Sequence, residues 1–414
     1  MLHHPRFKPH LRVQVVPGEG VFVVSDGRQA LLQGRLYEAV VPNIGGRSAD
    51  EVCDRLQDQA SPAEVYFVLG QLEKKGFLCE TEESLPPAEA ALWSAQQVDP
   101  AVAARRLAET PVTVQAFGVD PAPLCELLKS LRVRVEDGGK LGVVLADDYL
   151  RNELEAWNAD SLCSGRPWLL ARPFGRQVWV GPLFRPGATG CWQCLAHRLR
   201  ANRPVASYLD GKDGRAGGPA AAAWTPATLH TAWGMAAHAV GSWIAAGALP
   251  ALEGKVQSFD VATWKAETHT LVRLPFCPAC GAGDVLDQRP RPAVLESRPK
   301  TFTNDGGHRV VSPEVTLERY GHHVSPITGA VSRLERAAVG GDGVMHVYVA
   351  GHNVARRHRS LEHLRGDLRN MSSGKGASDV QARASGLCEG LERHSGVFRG
   401  DEARRRASLR GLGG

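Results

Sequence analysis

Between Ser372 and Arg393, the residues Ser385, Glu389 and Glu392 recur at i, i+4 and i+7. On a helix that spacing puts one hydroxyl and two carboxylates on a common face. Carboxylates so paired can hold Mg2+, a cation that takes oxygen ligands and is usually shared with substrate phosphates. Lys375 and Arg393 flank the run and are cations able to meet those phosphates. The same spacing also fits an ordinary amphipathic helix with a solvated charged face. A second constellation is Cys191-Trp-Gln-Cys194 with Cys277-Pro-Ala-Cys280. Four thiolates in two such pairs suit a tetrahedral, structural Zn2+ and leave no position open for catalysis. Redox chemistry at a single pair is the weaker alternative. Cys53, Cys79, Cys125, Cys163 and Cys388 stand in apolar or helical surroundings and read as core residues.

The helix that must carry the carboxylates begins at Ser378 and Gln381, a capping-box pair. Val380, Ala384, Leu387 and Leu391 give it an apolar stripe, and a loop with Gly374-Lys375-Gly376 leads into it. This is no Walker A loop, because Arg369 stands where a glycine belongs and Gly376 follows the lysine in place of Ser or Thr.

The run Ser-Gly-Lys-Gly, followed by Gln381-Ala-Arg-Ala-Ser-Gly-Leu-Cys-Glu-Gly-Leu-Glu-Arg393, resembles the ATP-site signature of the YcaO family, whose members activate a peptide amide with ATP. The resemblance implies that Ser385 and Glu389 contact nucleotide and that Glu389 and Glu392 help hold magnesium, with Lys375 and Arg393 nearby. Val324–Val331 and Val344–Val349, turning at Gly340–Gly343, read as strands similar to the opening of a YcaO domain. Family members continue well past the position of Gly414 and add further carboxylates, so the expectation is a truncated domain with an incomplete ATP site.

At 414 residues the chain has room for two or three domains. A net charge of +5 and a pI near 8.7 do not demand nucleic acid. Nine cysteines, spread out and partly in Cys-x-x-Cys pairs, fit a reducing compartment. No signal-peptide core follows Met1, and the apolar stretch Ala227–Leu249, opened by Thr225-Pro226, reads as a buried helix. The expected location is cytoplasmic.

Residues 1–85 read as strands, three helices and a wing. Val21–Ser25 and Arg28–Leu32 flank the Asp26-Gly27 turn, Ser48/Glu51 and Ser61-Pro62 open helices, and Gly76 closes the last. No helix there presents a basic reading face for DNA. The segment is similar to the PqqD-like leader-recognition fold. That likeness implies that a leader peptide adds a strand along Arg28, Gln29, Ala30, Leu31 and Leu32, facing the helix Pro62–Lys74. Pro86–Leu107 reads as a linker. Residues 86–285 hold all nine tryptophans and alternate strands (Pro111–Phe117, Val133–Glu136, Leu141–Leu145, Val178–Val180, Val256–Phe259) with helix. They resemble the ThiF/MoeB-type adenylating fold, except that Phe117-Gly118-Val-Asp-Pro-Ala replaces its glycine-rich turn; the expectation is a pseudo-enzyme scaffold. A linker at 286–300 precedes the partial YcaO segment, 301–414.

The predicted class is therefore an α/β and α+β multidomain protein: a winged-helix-like leader-binding domain, a ThiF-like Rossmannoid zinc domain and a partial YcaO domain. Its order resembles that of fused azoline-forming cyclodehydratases of thiazole/oxazole-modified peptide biosynthesis. The implied cofactors are structural zinc and, for a completed domain, ATP and Mg2+. The implied partners are the leader of a precursor peptide and, in trans, a complete YcaO protein or a dehydrogenase. A homodimer is a further candidate; DNA and membrane are not. The rival reading is a non-catalytic leader-binding scaffold.

Overall fold

A computed structural model describes residues 2–80, 85–213, 223–281, 294–301, 303, 307–337, 345–352, 360–397 and 406–412. Contacts divide the chain into two units, the first formed by Met1–Pro111 with Ser130–Arg134 and Gly241–Ala248, the second by the rest.

In the first unit β1 (Pro5–Phe7) is followed by β2 (Arg12–Val16), β3 (Gly20–Ser25) and β4 (Arg28–Leu32), then by α1 (Arg35–Val40), α2 (Ala49–Arg55), α3 (Pro62–Lys74) and β5 (Leu78–Glu80). The expected capping box forms at Ser48 and Glu51, which open α2, and Ser61 opens α3 with a second box, closed by Glu64, that the sequence had not suggested. Val65, Val68, Leu69 and Leu72 of α3 pack on Val21, Val23 and Leu32 of the hairpin. Gly76 ends the helix at φ 73°, a conformation only glycine adopts without strain. The wing is β5 paired antiparallel with β1, a partner the sequence reading did not assign. Pro86–Leu107 is not a linker. It forms α4 (Pro87–Ala95) and α5 (Pro100–Glu109), with Asp99 capping the second and Trp93 fully buried. Pro87 and Pro100 are first-turn prolines, which start helices as readily as they break them.

The second unit holds β6 (Val112–Phe117), α6 (Ala122–Ser130), β7 (Leu141–Ala146), α7 (Glu153–Ser164), β8 (Trp168–Arg172), β9 (Gln177–Phe184), α8 (Trp192–Asn202), α9 (Pro204–Asp213), α10 (Pro226–Ala246), β10 (Lys255–Asp260) and β11 (Lys265–Thr270). Some residues of α6 and α10 belong to the first unit. Strands β6, β7 and β8 are parallel, and β9, β10 and β11 continue the sheet antiparallel. This is the Rossmann-like half expected. Val133–Glu136 is no strand; it contributes a single bridge to Val112, because Gly138 and Gly139 turn the chain straight into β7. The sequence reading missed β8 and β11.

The same unit continues as α11 (Pro313–Tyr320), β12 (Val331–Arg336), β13 (His346–His352), α12 (Leu361–Leu368), β14 (Met371–Gly376) and α13 (Asp379–Ser395). Two expectations are corrected here. Val324–Ala330 is a turn organised by Ser325, whose hydroxyl accepts from the N–H groups of Ile327 and Thr328, and the strand starts only at Val331. Gly374-Lys375-Gly376 is strand, paired antiparallel with His346–Tyr348. The turn expected at Gly340–Gly343 and the linker residues 286–293 lie outside the described residues. Among the described residues no helix is long and apolar enough to cross a membrane.

Candidate functional site

Helix α13 is placed by its smallest residues. Ala382, Gly386 and Gly390 lie buried against the β12–β13–β14 sheet. A Cβ on Gly390 would come within 3.0 Å of Val331 Cγ2, and one on Gly374 within 2.6 Å of Gly386 Cα. Ser378 caps the helix, accepting from the Gln381 N–H. With that face spent on the sheet, the opposite face lines a cleft of about 740 Å3, within the usual range for ligand sites. Its walls are Ser385, Glu389, Glu392 and Arg393 of α13, with Gln381 and Cys388 beside them and Arg309 and Thr316 across. Arg393 reaches Glu389 at 3.5 Å.

Four of the five expected nucleotide residues therefore share one cleft. Lys375 is not among its walls. Gly374 faces α13, and strand alternation turns Lys375 to the other side of the sheet. Arg309, a second cation on the cleft, went unseen in the sequence because nothing in its spacing ties it to α13. Cys388 and Cys163 are exposed, correcting their assignment to the core; partial desolvation of its sulfur pushes the Cys388 thiol upward, so it is no ready nucleophile.

The four cysteines converge. Cys191 is the N-cap residue of α8 and Cys194 lies in its first turn, while Cys277 and Cys280 follow β11. Their sulfurs all lie within 4.8 Å of one another, with Cys191 to Cys277 at 3.6 Å and Cys194 to Cys280 at 3.5 Å. A tetrahedral site with metal–sulfur bonds of about 2.3 Å has sulfur–sulfur edges of about 3.8 Å, so the set fits a metal ion. Hydrogen bonds from Cys191 and Cys194 hold the Cys277 and Cys280 thiols low, Cys280 at about 6, while the neighbouring sulfurs drive Cys194 up. Four negative sulfurs cannot coexist so close without a cation.

Strand β4 is an edge of the three-stranded β2–β3–β4 sheet. Ser25 and Arg28 flank a two-residue turn, so they and Val23–Ala30 are the hydrogen-bonded pairs. The N–H groups of Gln29 and Leu31 therefore point to the open edge. Leu31 is 45% exposed, and so is Phe67 of α3, at 60%. Arg28 ties the edge to the end of α3 through the Lys75 carbonyl and the Phe77 ring. At the end of β6, a Cβ on Gly118 would fall on the Asp147 carboxylate and the Arg151 guanidinium, which pair at 2.6 Å. An Asp–Arg ion pair thus fills the turn where a dinucleotide fold seats phosphate.

Comparison with known proteins agrees with this architecture. A winged helix-turn-helix family matches residues 6–80, and the family described as YcaO cyclodehydratase, ATP- and Mg2+-binding, matches residues 373–414. A heterocyclase solved in complex with substrate and cofactor is 38% identical, with a TM-score of 0.87 over 99% of this chain and 56% of its own. The heterocyclase TruD is 34% identical, with a TM-score of 0.78 over 99% of this chain and 54% of its own. A search of curated proteins gave no match. The chain belongs with the YcaO-containing heterocyclases, and it spans just over half the length of the two it matches.

Proposed function

We propose that this chain binds the leader of a ribosomally made precursor peptide and takes part in ATP-dependent cyclodehydration of its Cys, Ser or Thr residues to thiazolines or oxazolines, in the cytoplasm, as a step of bacteriocin-type biosynthesis. The observation that carries the reading is the convergence of Ser385, Glu389, Glu392 and Arg393 on one cleft. In the reaction a side-chain nucleophile adds to the preceding amide, and loss of the former amide oxygen leaves the azoline. ATP, when bound, supplies the phosphoryl group that makes that oxygen a leaving group. Glu389 and Glu392 would hold Mg2+, Ser385 would donate to nucleotide, and Arg393 with Arg309 would neutralise charge developing on phosphate. A closed four-thiolate Zn2+ site at Cys191, Cys194, Cys277 and Cys280 would be structural. The edge Arg28–Leu32, above all the outward N–H groups of Gln29 and Leu31, would take the leader as an added strand.

The test is titration of the purified chain with Mg·ATP and with cognate leader peptide, together with peptide-dependent phosphate release. Glu389→Gln should abolish nucleotide binding and phosphate release and leave leader binding intact. Leader binding with no Glu389-dependent nucleotide binding would instead identify a scaffold serving a complete YcaO protein in trans.

A further inference from the structure

Helix α8 carries more than metal ligands. Cys194, Arg198 and Asn202 lie at i, i+4 and i+8 and so share one stripe of it. At its start the stripe enters the four-cysteine centre, where Leu274 also donates its N–H to the Cys194 sulfur. One turn on, roughly 6 Å along the axis, Arg198 Nη1 meets His394 Nε2 of α13 at 2.7 Å, both residues at least nine-tenths buried. A guanidinium only donates, so Nε2 of His394 accepts and its ring proton sits on Nδ1. One turn further, Asn202 donates to the carbonyls of Ser325 and Gly329 at 3.4 and 3.2 Å, in the turn that leads into β12. That strand is the one Gly390 of α13 packs against. His394 directly follows Glu392 and Arg393, two walls of the cleft.

From this we infer that α8 is a strut fixing the nucleotide helix to the metal centre, with Arg198 and His394 as positioning residues for the carboxylates of the cleft. The inference rests on the nucleotide reading of the cleft. Its physical basis is that a buried guanidinium strongly resists losing its acceptor. The rotation of α13, and with it the aim of Glu389 and Glu392, is therefore referred to α8. The first turn of α8 is in turn held by the cysteine pairs. Weakening the metal centre should accordingly loosen the cleft, although no cysteine touches it.

The probe is Mg·ADP, titrated calorimetrically into the full chain at a temperature where each variant is shown by circular dichroism to be folded. His394→Leu should weaken binding tenfold or more. His394→Gln, which keeps an acceptor near the Nε2 position, should stay within about threefold of the parent. Both changes remove the imidazole, so a role for bulk or the ring itself predicts equal losses. Joint replacement Arg198→Met with His394→Leu should be no worse than the poorer single change, because the two act through one contact. Cys280→Ser should weaken Mg·ADP several-fold, with partial recovery in excess Zn2+. If His394→Leu does not fold, amide exchange over Asp379–Ser395 decides the matter: it should rise in Cys280→Ser and not in His394→Gln. Unchanged Mg·ADP affinity in both His394→Leu and Cys280→Ser overturns the strut. A parent chain that binds no Mg·ADP overturns the functional reading, and the strut with it.

Discussion

Gly374→Ala isolates the contact that seats α13. The backbone of Gly374 is not in a left-handed conformation, so alanine is acceptable there on torsional grounds, and ordinary propensity predicts a gain of about 0.5–1 kcal/mol for losing a strand glycine. Space predicts the opposite. The new Cβ would stand 2.6 Å from Gly386 Cα and closer still to the Gly386 amide nitrogen and the Ala382 carbonyl oxygen. All three are backbone atoms, so no rotamer change relieves the clash and α13 must back away by about an ångström or more. Overpacking of that kind costs about 1–3 kcal/mol, and rigid neighbours put this case at the upper end, so a net loss of roughly 2 kcal/mol is expected. A shift near 1 Å in a positioned site can cost on the order of 100-fold, so Mg·ADP affinity should fall as well. Urea unfolding, read beside the nucleotide titration, measures both effects. The control is Gly366→Ala, in α12, where a Cβ has open space and helix propensity predicts a gain approaching 1 kcal/mol. A Gly374→Ala chain as stable as its parent, with unchanged nucleotide affinity, would refute the packing argument.

Metal analysis of the purified chain should find about one zinc, since four thiolates complete one tetrahedron, and a stable, metal-free protein would remove the centre from the account. Leu31→Pro should weaken leader binding while the first unit stays folded, because it deletes an outward N–H and an exposed apolar side chain. Ala30→Pro should damage the hairpin itself, whose ladder uses that N–H; equal effects of the two would show the edge is not where the peptide lies. His323 is held down from 6.5 to about 4 by burial and then by the charges of His322 and Arg198. As pH falls, the unfolded chain takes up that proton first, so this residue's contribution to stability is complete above about pH 6.5 and is lost progressively toward pH 4. The unfolding midpoint of His323→Gln should therefore fall less than that of the parent between pH 7 and 4.5.

Several features were legible because they depend on neighbours in the chain. The Ser48/Glu51 capping box, the Ser61-Pro62 and Thr225-Pro226 helix starts, the Asp26-Gly27 hairpin and the i, i+4, i+7 face of α13 follow from local geometry alone. The Cys-x-x-Cys pairs declared a metal site by residue type, though their convergence required the fold. Local pattern misled where two outcomes share one composition. Pro87 and Pro100 looked like linker prolines until Trp93 and Leu107 were seen buried, and Gly374-Lys375-Gly376 looked like a loop until its glycine proved to be the floor under Gly386.

Local sequence decided where the capped helices and the Asp26-Gly27 hairpin begin and which face of α13 carries oxygen ligands, because those depend on dihedral preference and periodicity over a few residues. Only the tertiary structure decided that Arg309 joins the cleft, that Lys375 points away from it, and that Arg198 reaches His394. Those pairings join residues far apart in the chain, and close packing against glycine backbones, which no short-range pattern encodes, selects them.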